Sequence, residues 1–158
     1  MREFDGCGKS TLAKKLCNTY KAKYLHVSKP KTDNPFLEYV KFLARLNKNE
    51  NYVIDRCFHG ERAYGPVFRN KDGLDDLKQL ALEVIASEHV AIVIYCWQGN
   101  NEIASAFISR GEKFTKLEHI PKLKKLYEET MKKCILPVLK YRWSTTSYSK
   151  VREYVESN

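Results

Sequence analysis

Apolar residues along this chain keep two rhythms, spacings of three and four that predict helices and short unbroken runs that predict strands. Leu12, Leu16 and Tyr20, flanked by Ala13 and Cys17, predict a helix from Lys9 to about Lys21. The run YLHV at 24–27 predicts a short strand. Asn34 and Pro35 have the residue types of a cap and a first helical position, opening a helix whose apolar side carries Leu37, Val40, Phe42, Leu43 and Ala44. Tyr52 to Asp55 predicts a second strand, and the Gly-, Pro- and Arg-containing stretch 56–73 predicts a loop. Leu74, Leu77, Leu80, Ala81, Val84 and Ile85 then trace a helical stripe ending before Val90.

The apolar run 90–96 does not alternate with polar residues and so predicts a central strand buried on both faces. A helix follows from Asn100 or Asn101 to about Ser109, and another begins at Pro121. The second turns Leu123, Leu126, Tyr127, Thr130, Met131 and Cys134 inward, and Pro137 marks its end. Residues 138–143 predict the last strand, with Tyr141, Trp143 and Tyr148 closing it against a final helix from Ser149 to Glu156. Strands alternating with helices point to a parallel sheet covered on both faces, a three-layer α/β fold in one domain spanning 1–158.

Composition narrows the class. Of 158 residues, 43% are hydrophobic and 30% charged, which fits a globular domain and excludes a disordered or collagen-like chain. The longest apolar run, VAIVIYCW at 90–97, is too short to cross a membrane, and no apolar leader opens the sequence. A cytoplasmic protein is therefore expected. Five dispersed cysteines without a CxxC pair, and four dispersed histidines, argue against a disulfide framework or a structural metal. The net charge of +9 lies on Lys and Arg scattered over predicted helix faces, with no nucleic-acid-binding motif, so it favours phosphorylated small molecules over DNA or RNA.

The chemistry gathers at two points. DGCGKST, residues 5–11, carries the end of the phosphate-loop pattern G-x-x-x-x-G-K-[ST], although Glu3 stands where its first glycine belongs. Gly6 and Gly8 allow the backbone around Cys7 to turn its N–H groups toward an anion at a helix N-terminus. Lys9 then reaches the β- and γ-phosphates, Ser10 is a magnesium ligand, and Thr11 completes the first turn. Such a loop joins a strand to a helix, so a fifth, central strand is expected ahead of residue 5, where MREF supplies only part of one. Asp55 and Arg56 sit at the carboxyl end of a predicted strand, where open α/β sheets place their ligands. There an aspartate can hold magnesium-bound water or a hydroxyl, and an arginine can grip a phosphate with two hydrogen bonds.

GCGKST, DRxxxxxxAYG (55–65) and SRGEKFTKLE (109–118) together resemble the thymidylate kinase family of nucleoside monophosphate kinases, and are most similar to its short bacteriophage-encoded members. The resemblance spans nearly the whole chain. It implies the P-loop NTPase fold with a truncated first strand, and magnesium-dependent transfer of the ATP γ-phosphoryl group to a deoxynucleoside monophosphate, dTMP first among them. By the same resemblance, Asp5 faces the acceptor's sugar, Arg56 holds its phosphate, and Ala63 and Tyr64 lie near sugar and base. A lid at about 110–120 brings Arg110, Lys113 and Lys116 to the transferring group, and the protein forms a homodimer. The segment matching the family's base-reading stretch is SKPKTD, residues 28–33, so the acceptor's base stays open. A deoxynucleoside kinase with Asp5 or Asp55 as base, and a truncated chain that binds nucleotide without turnover, are the alternatives.

Overall fold

The computed structural model describes residues 7–69, 73–99, 101–103, 105 and 117–158. In chain order these form α1 (Lys9–Tyr20), β1 (Lys23–His26), α2 (Pro35–Leu43), β2 (Tyr52–Asp55), α3 (Phe58–Tyr64), α4 (Asp76–Ser87), β3 (Val93–Cys96), α5 (Ile120–Lys132), β4 (Val138–Tyr141) and α6 (Tyr148–Ser157). The local signals that build them are visible. Asn34, Asp75 and Ser147 each accept a backbone N–H in the first turn of α2, α4 and α6, and Pro35 opens α2. Among the described residues no helix is long and apolar enough to cross a membrane.

Among the described residues the strand pairing is parallel, as the alternation predicts, and falls in two pairs. β1 pairs with β2 from Lys23↔Tyr52 to His26↔Asp55, and β3 pairs with β4 from Val93↔Val138 to Cys96↔Tyr141. Helices cover both sides. On one side, Leu12 and Leu16 of α1 and Val151 of α6 form a core with Val53, Ile94, Cys96, Leu139 and Tyr141 packed against it. On the other, Tyr39, Leu43, Phe58, Leu82, Ala86 and Leu136 gather from α2, α3, α4 and the segment after α5, with Val27 and Val93 against them. Adjacent residues Val93 and Ile94 thus serve opposite layers, as the pleat of a strand requires. α3 also packs on α5 through Ala63, Tyr64 and Leu123.

Four expectations change. The stretch 56–73 holds the short helix α3 followed by a wide turn over Gly65–Arg69, because Gly60 is tolerated inside a helix that tertiary packing buries. On α4 the apolar stripe faces out: Leu77 is 74% exposed, and Leu80 and Val84 are also exposed, while Gln79, Leu82, Glu83 and Ala86 are buried. On α2, Leu37 is exposed and Tyr39 and Leu43 carry the core. Finally, β3 is half-buried along its length rather than sealed on both faces. The expected first strand, and most of the helix expected at 100–109, lie outside the described residues.

Candidate active site

α1 begins directly after Gly8, whose φ of 73° is left-handed, so the glycine is required where the chain turns into the helix. A side chain at this position would also press on Trp143, with 3.1 Å to its Cβ. Among the described residues no side chain caps α1, and no acidic residue lies in its first turn. The helix start thus offers first-turn N–H groups and the positive end of its dipole with no acidic side chain in its own first turn. Lys9 is the first residue of this helix, with its Nζ shielded from solvent, and Ser10 and Thr11 are exposed beside it.

The second part of the site comes from β2. Asp55 ends the strand, 7% exposed, and Arg56 turns the chain away with φ 67°. A non-glycine residue held there costs on the order of 1 kcal/mol, the kind of local strain that gathers at functional positions. Asp55 Oδ2 accepts a hydrogen bond of 2.7 Å from the Tyr24 hydroxyl, and His26 Nδ1 lies 3.6 Å away. Burial and this bond to a carboxylate raise the Tyr24 hydroxyl to about 12, keeping it a proton donor at neutral pH. Asp55 Oδ1 is buried and accepts no hydrogen bond from the described residues.

Cys7, Lys9, Asp55 and Arg56 line one cavity of about 500 Å³. Their closeness is felt at Cys96, which borders the same space. Burial raises its thiol to about 12, with Lys9 opposing the rise and Cys7 and Asp55 adding to it. Arg56 also lines a small cleft with Tyr64, Glu61, Arg69 and Ser28, so two residues expected on the acceptor side share one wall. There Glu61 and Arg69 form an ion pair. Burial raises the Glu61 carboxyl above its usual range, against the pull of Arg69. Tyr64 itself is held by stacking on Phe68 at 5.4 Å and by the edge of Tyr127 at 6.2 Å. Asp5, Gly6, Arg110, Lys113 and Lys116 lie outside the described residues.

Cys7 is buried with Ile103 and Ile120, so its side chain belongs to the core while its backbone belongs to the loop. His59 stands in α3 and faces Glu83. Its Nε2 is 2.9 Å from Glu83 Oε1 and 3.6 Å from the Cys134 sulfur. Gln79 Nε2 donates to the same carboxylate oxygen at 2.8 Å, and the Ile135 N–H donates to Oε2 at 2.9 Å. These bonds tie the start of α3, next to Asp55 and Arg56, to α4 and to the segment leading to β4. One ligand atom from each of His59, Glu83 and Cys134 falls within 4.8 Å of the others, but the carboxylate is already satisfied by hydrogen bonds.

The sequence reading missed a cluster at the carboxyl ends of β3 and β4. Lys124, Lys140 and Arg142 lie 5.2, 4.3 and 5.3 Å from the Trp97 ring centre. Arg142 also donates to Glu102 at 2.8 Å and to the buried Gln98 at 3.3 Å. Trp143, expected to close the last strand against the final helix, is 54% exposed beside Gly8. Only the parallel pairing of β3 with β4 brings 97–98 beside 140–143, so no local pattern announces the cluster.

The sequence matches no known protein family and no curated protein. The fold, by contrast, is similar to solved structures. The YorR protein of Bacillus subtilis, in complex with phosphorylated GDP, aligns with a TM-score of 0.78 at 22% identity, over 97% of this chain and 90% of that one. Deoxyadenosine kinase from M. mycoides with bound dATP aligns at 0.60 and 18% identity, over 96% and 93%. The same enzyme with dCMP and dCDP aligns at 0.52 and 20% identity, over 96% and 90%. These likenesses show that the chain shares the α/β fold of these solved structures.

Proposed function

We propose that this protein is a magnesium- and ATP-dependent phosphotransferase whose acceptor is a deoxynucleoside monophosphate, with dTMP the first candidate. The observation that carries the reading is the convergence of Lys9, at a helix start behind a left-handed glycine, with Asp55 and Arg56 on one cavity. Phosphoryl transfer asks chiefly for positioning and positive charge around a loose transition state. Lys9 and the first-turn N–H groups of α1 would bind the donor's phosphates, and Arg56 the acceptor's. Gly6 and Cys7 would add loop backbone, Asp5 and Tyr64 would contact the acceptor, and Arg110, Lys113 and Lys116 would close over the transferring group.

The donor set suits magnesium. Asp55 Oδ1 is a buried carboxylate oxygen that accepts no hydrogen bond from the described residues, and Ser10 is an exposed hydroxyl on the first turn of α1. Bound there, the ion would neutralise charge on the donor phosphates. The Tyr24 bond fixes the Asp55 carboxylate so that its free oxygen keeps one direction.

Two further elements complete the proposal. A central strand ahead of the loop would join β2 to β3. A second copy of the chain would cover the exposed face of Leu77, Leu80 and Val84, because soluble domains seldom leave such stripes open to water. Sedimentation should show a dimer that Leu80→Glu converts to monomer. A wild-type monomer at micromolar concentration would remove this element.

The acceptor is tested by coupling ADP release to each deoxynucleoside monophosphate and, in parallel, to each deoxynucleoside. Turnover with dTMP but not thymidine is the expected result. Turnover with thymidine alone would make Asp55 a general base acting on a hydroxyl. A chain that binds ATP and turns over neither would be a nucleotide-binding remnant.

A further inference from the structure

We propose that His59, Glu83 and Cys134 form a binding site for one zinc ion, which clamps α3 to α4 and to the segment ahead of β4. The site stands apart from the phosphate chemistry and does not depend on it. Its donors come from three places: His59 from α3, Glu83 from α4, and Cys134 from the stretch between α5 and β4. Positions so far apart in sequence give no ligand spacing to read, so only packing assembles them. Once assembled, His59 Nε2, a Glu83 oxygen and the Cys134 sulfur all lie within 4.8 Å of one another.

The distances suit a tetrahedral ion. Zinc bonds of about 2.05 Å to nitrogen and about 2.3 Å to sulfur, at a tetrahedral angle, set those two atoms about 3.6 Å apart. The separation of His59 Nε2 from the Cys134 sulfur is 3.6 Å. His59 Nε2 and Glu83 Oε1, at 2.9 Å, need to part by only about 0.4 Å to take the same ion. The ring of Phe58 packs on His59 at 4.1 Å, and Gln79 and the Ile135 N–H donate to the two Glu83 oxygens at 2.8 and 2.9 Å. Those contacts would persist around the ion and orient its ligands, as hydrogen bonds behind metal ligands do. The ion replaces only the hydrogen bonds that Glu83 receives from His59 and Cys134.

Charge and donor softness select the cation. Glu83 is fully buried and His59 nearly so. A carboxylate, a thiolate and a neutral imidazole carry two negative charges, so a divalent ion leaves the buried site neutral. Sulfur and imidazole favour zinc over magnesium, which prefers oxygen donors. Without an ion the thiol stays protonated, because burial and its bond to Glu83 raise it to about 12. Binding sends that proton to solvent as the bond from sulfur to zinc forms. The fourth position falls to water, and Gln79 Oε1, buried with no hydrogen bond among the described residues, is an acceptor for it. Cys134 is only partly buried, and His59 lines the large cavity, so an ion has a way in.

The test adds zinc or cobalt(II) alone to the chelator-treated 158-residue chain, without nucleotide. One zinc per chain should bind, and zinc at about a hundredfold over its dissociation constant should raise the thermal midpoint by about 5–10 °C. Cobalt should give a thiolate-to-metal absorption with tetrahedral visible bands, bleached by equimolar zinc but not by excess magnesium. Cys134→Ser should abolish the thiolate absorption and His59→Gln should weaken binding at least about tenfold, while Cys17→Ser changes neither. In the parent chain zinc should also shield Cys134 from alkylation, read by peptide mass spectrometry, with Cys17 as the reactive comparison. A midpoint that zinc leaves unmoved, together with no cobalt–thiolate absorption, would overturn the proposal. So would absorption that persists in Cys134→Ser, or Cys134 alkylated equally fast with and without zinc, because another cysteine would then hold the ion.

Discussion

Lys9→Ala is expected to lower phosphoryl transfer about a thousandfold while leaving the fold intact. A preorganised cation that meets charge developing in the transition state is worth about two to four powers of ten in rate, because it acts in a site shielded from water. Lys9 has that position: it follows a left-handed glycine, starts a helix without an acidic first turn, and keeps its Nζ out of solvent near Cys96, in the cavity that Asp55 also lines. Its contribution to the core is small, since Leu12, Ala13 and Leu16 bury α1. The thermal midpoint of the variant should therefore move by no more than a few degrees. Steady-state ADP release, with circular dichroism as the fold control, makes the check. A loss of threefold or less would mean that the loop binds no triphosphate.

The second large effect concerns stability. Glu83→Ala should destabilise the protein by about 3 kcal/mol in denaturant unfolding at pH 7, because it leaves His59, Gln79 and the Ile135 N–H around an uncompensated buried site. Glu83 is fully buried. Burial alone would raise its carboxyl, but the hydrogen bonds from His59, the Ile135 N–H and Gln79 outweigh it and hold the group down at about 2. An unfolded chain takes up the proton near the ordinary carboxyl value of 4.5, before the folded one does. The stabilising effect is thus complete above that pH and falls away as the pH drops toward 2. Unfolding free energies measured between pH 6 and pH 3 should show this decline in the parent chain and a flatter profile in the variant. Equal slopes would place the acid sensitivity elsewhere. The cost also reaches the site, because the clasp holds α3 where Asp55 and Arg56 end β2.

Legibility from sequence followed the range of the interactions. α1, α2, α5 and α6 announce themselves through apolar spacing and caps, and β2 through a polar pair after an apolar run, all features within a few residues of one another. The placement of Lys9, Asp55 and Arg56 on one cavity followed from the strand-to-helix order, which sends the carboxyl ends of parallel strands to one edge. α3 was hidden because Gly60 and Gly65 are local breakers, whereas its burial comes from α4 and α5, far along the chain. The inward face of α4 was misread for a related reason. Gln79 and Glu83 look like solvent residues until His59 and Ile135 arrive as partners, and Leu77, Leu80 and Val84 look like core until the helix is docked. Trp143 likewise became a surface ring beside Gly8, and the Trp97 cluster emerged only from β3–β4 pairing. Of the lid expected at about 110–120, residues 110–116 lie outside the described residues, as does Asp5, while Leu117–His119 forms a short turn leading into α5.

The most direct measurement of the central claim follows the γ-phosphoryl group itself. The protein is incubated with magnesium and γ-labelled ATP, together with dTMP and then with each other deoxynucleoside monophosphate, and the labelled products are separated. Label appearing in a deoxynucleoside diphosphate, abolished by Lys9→Ala and by Arg56→Ala, is the predicted result. Label that stays in ATP under conditions where the folded chain is saturated with it would contradict the assignment of this cavity to phosphoryl transfer.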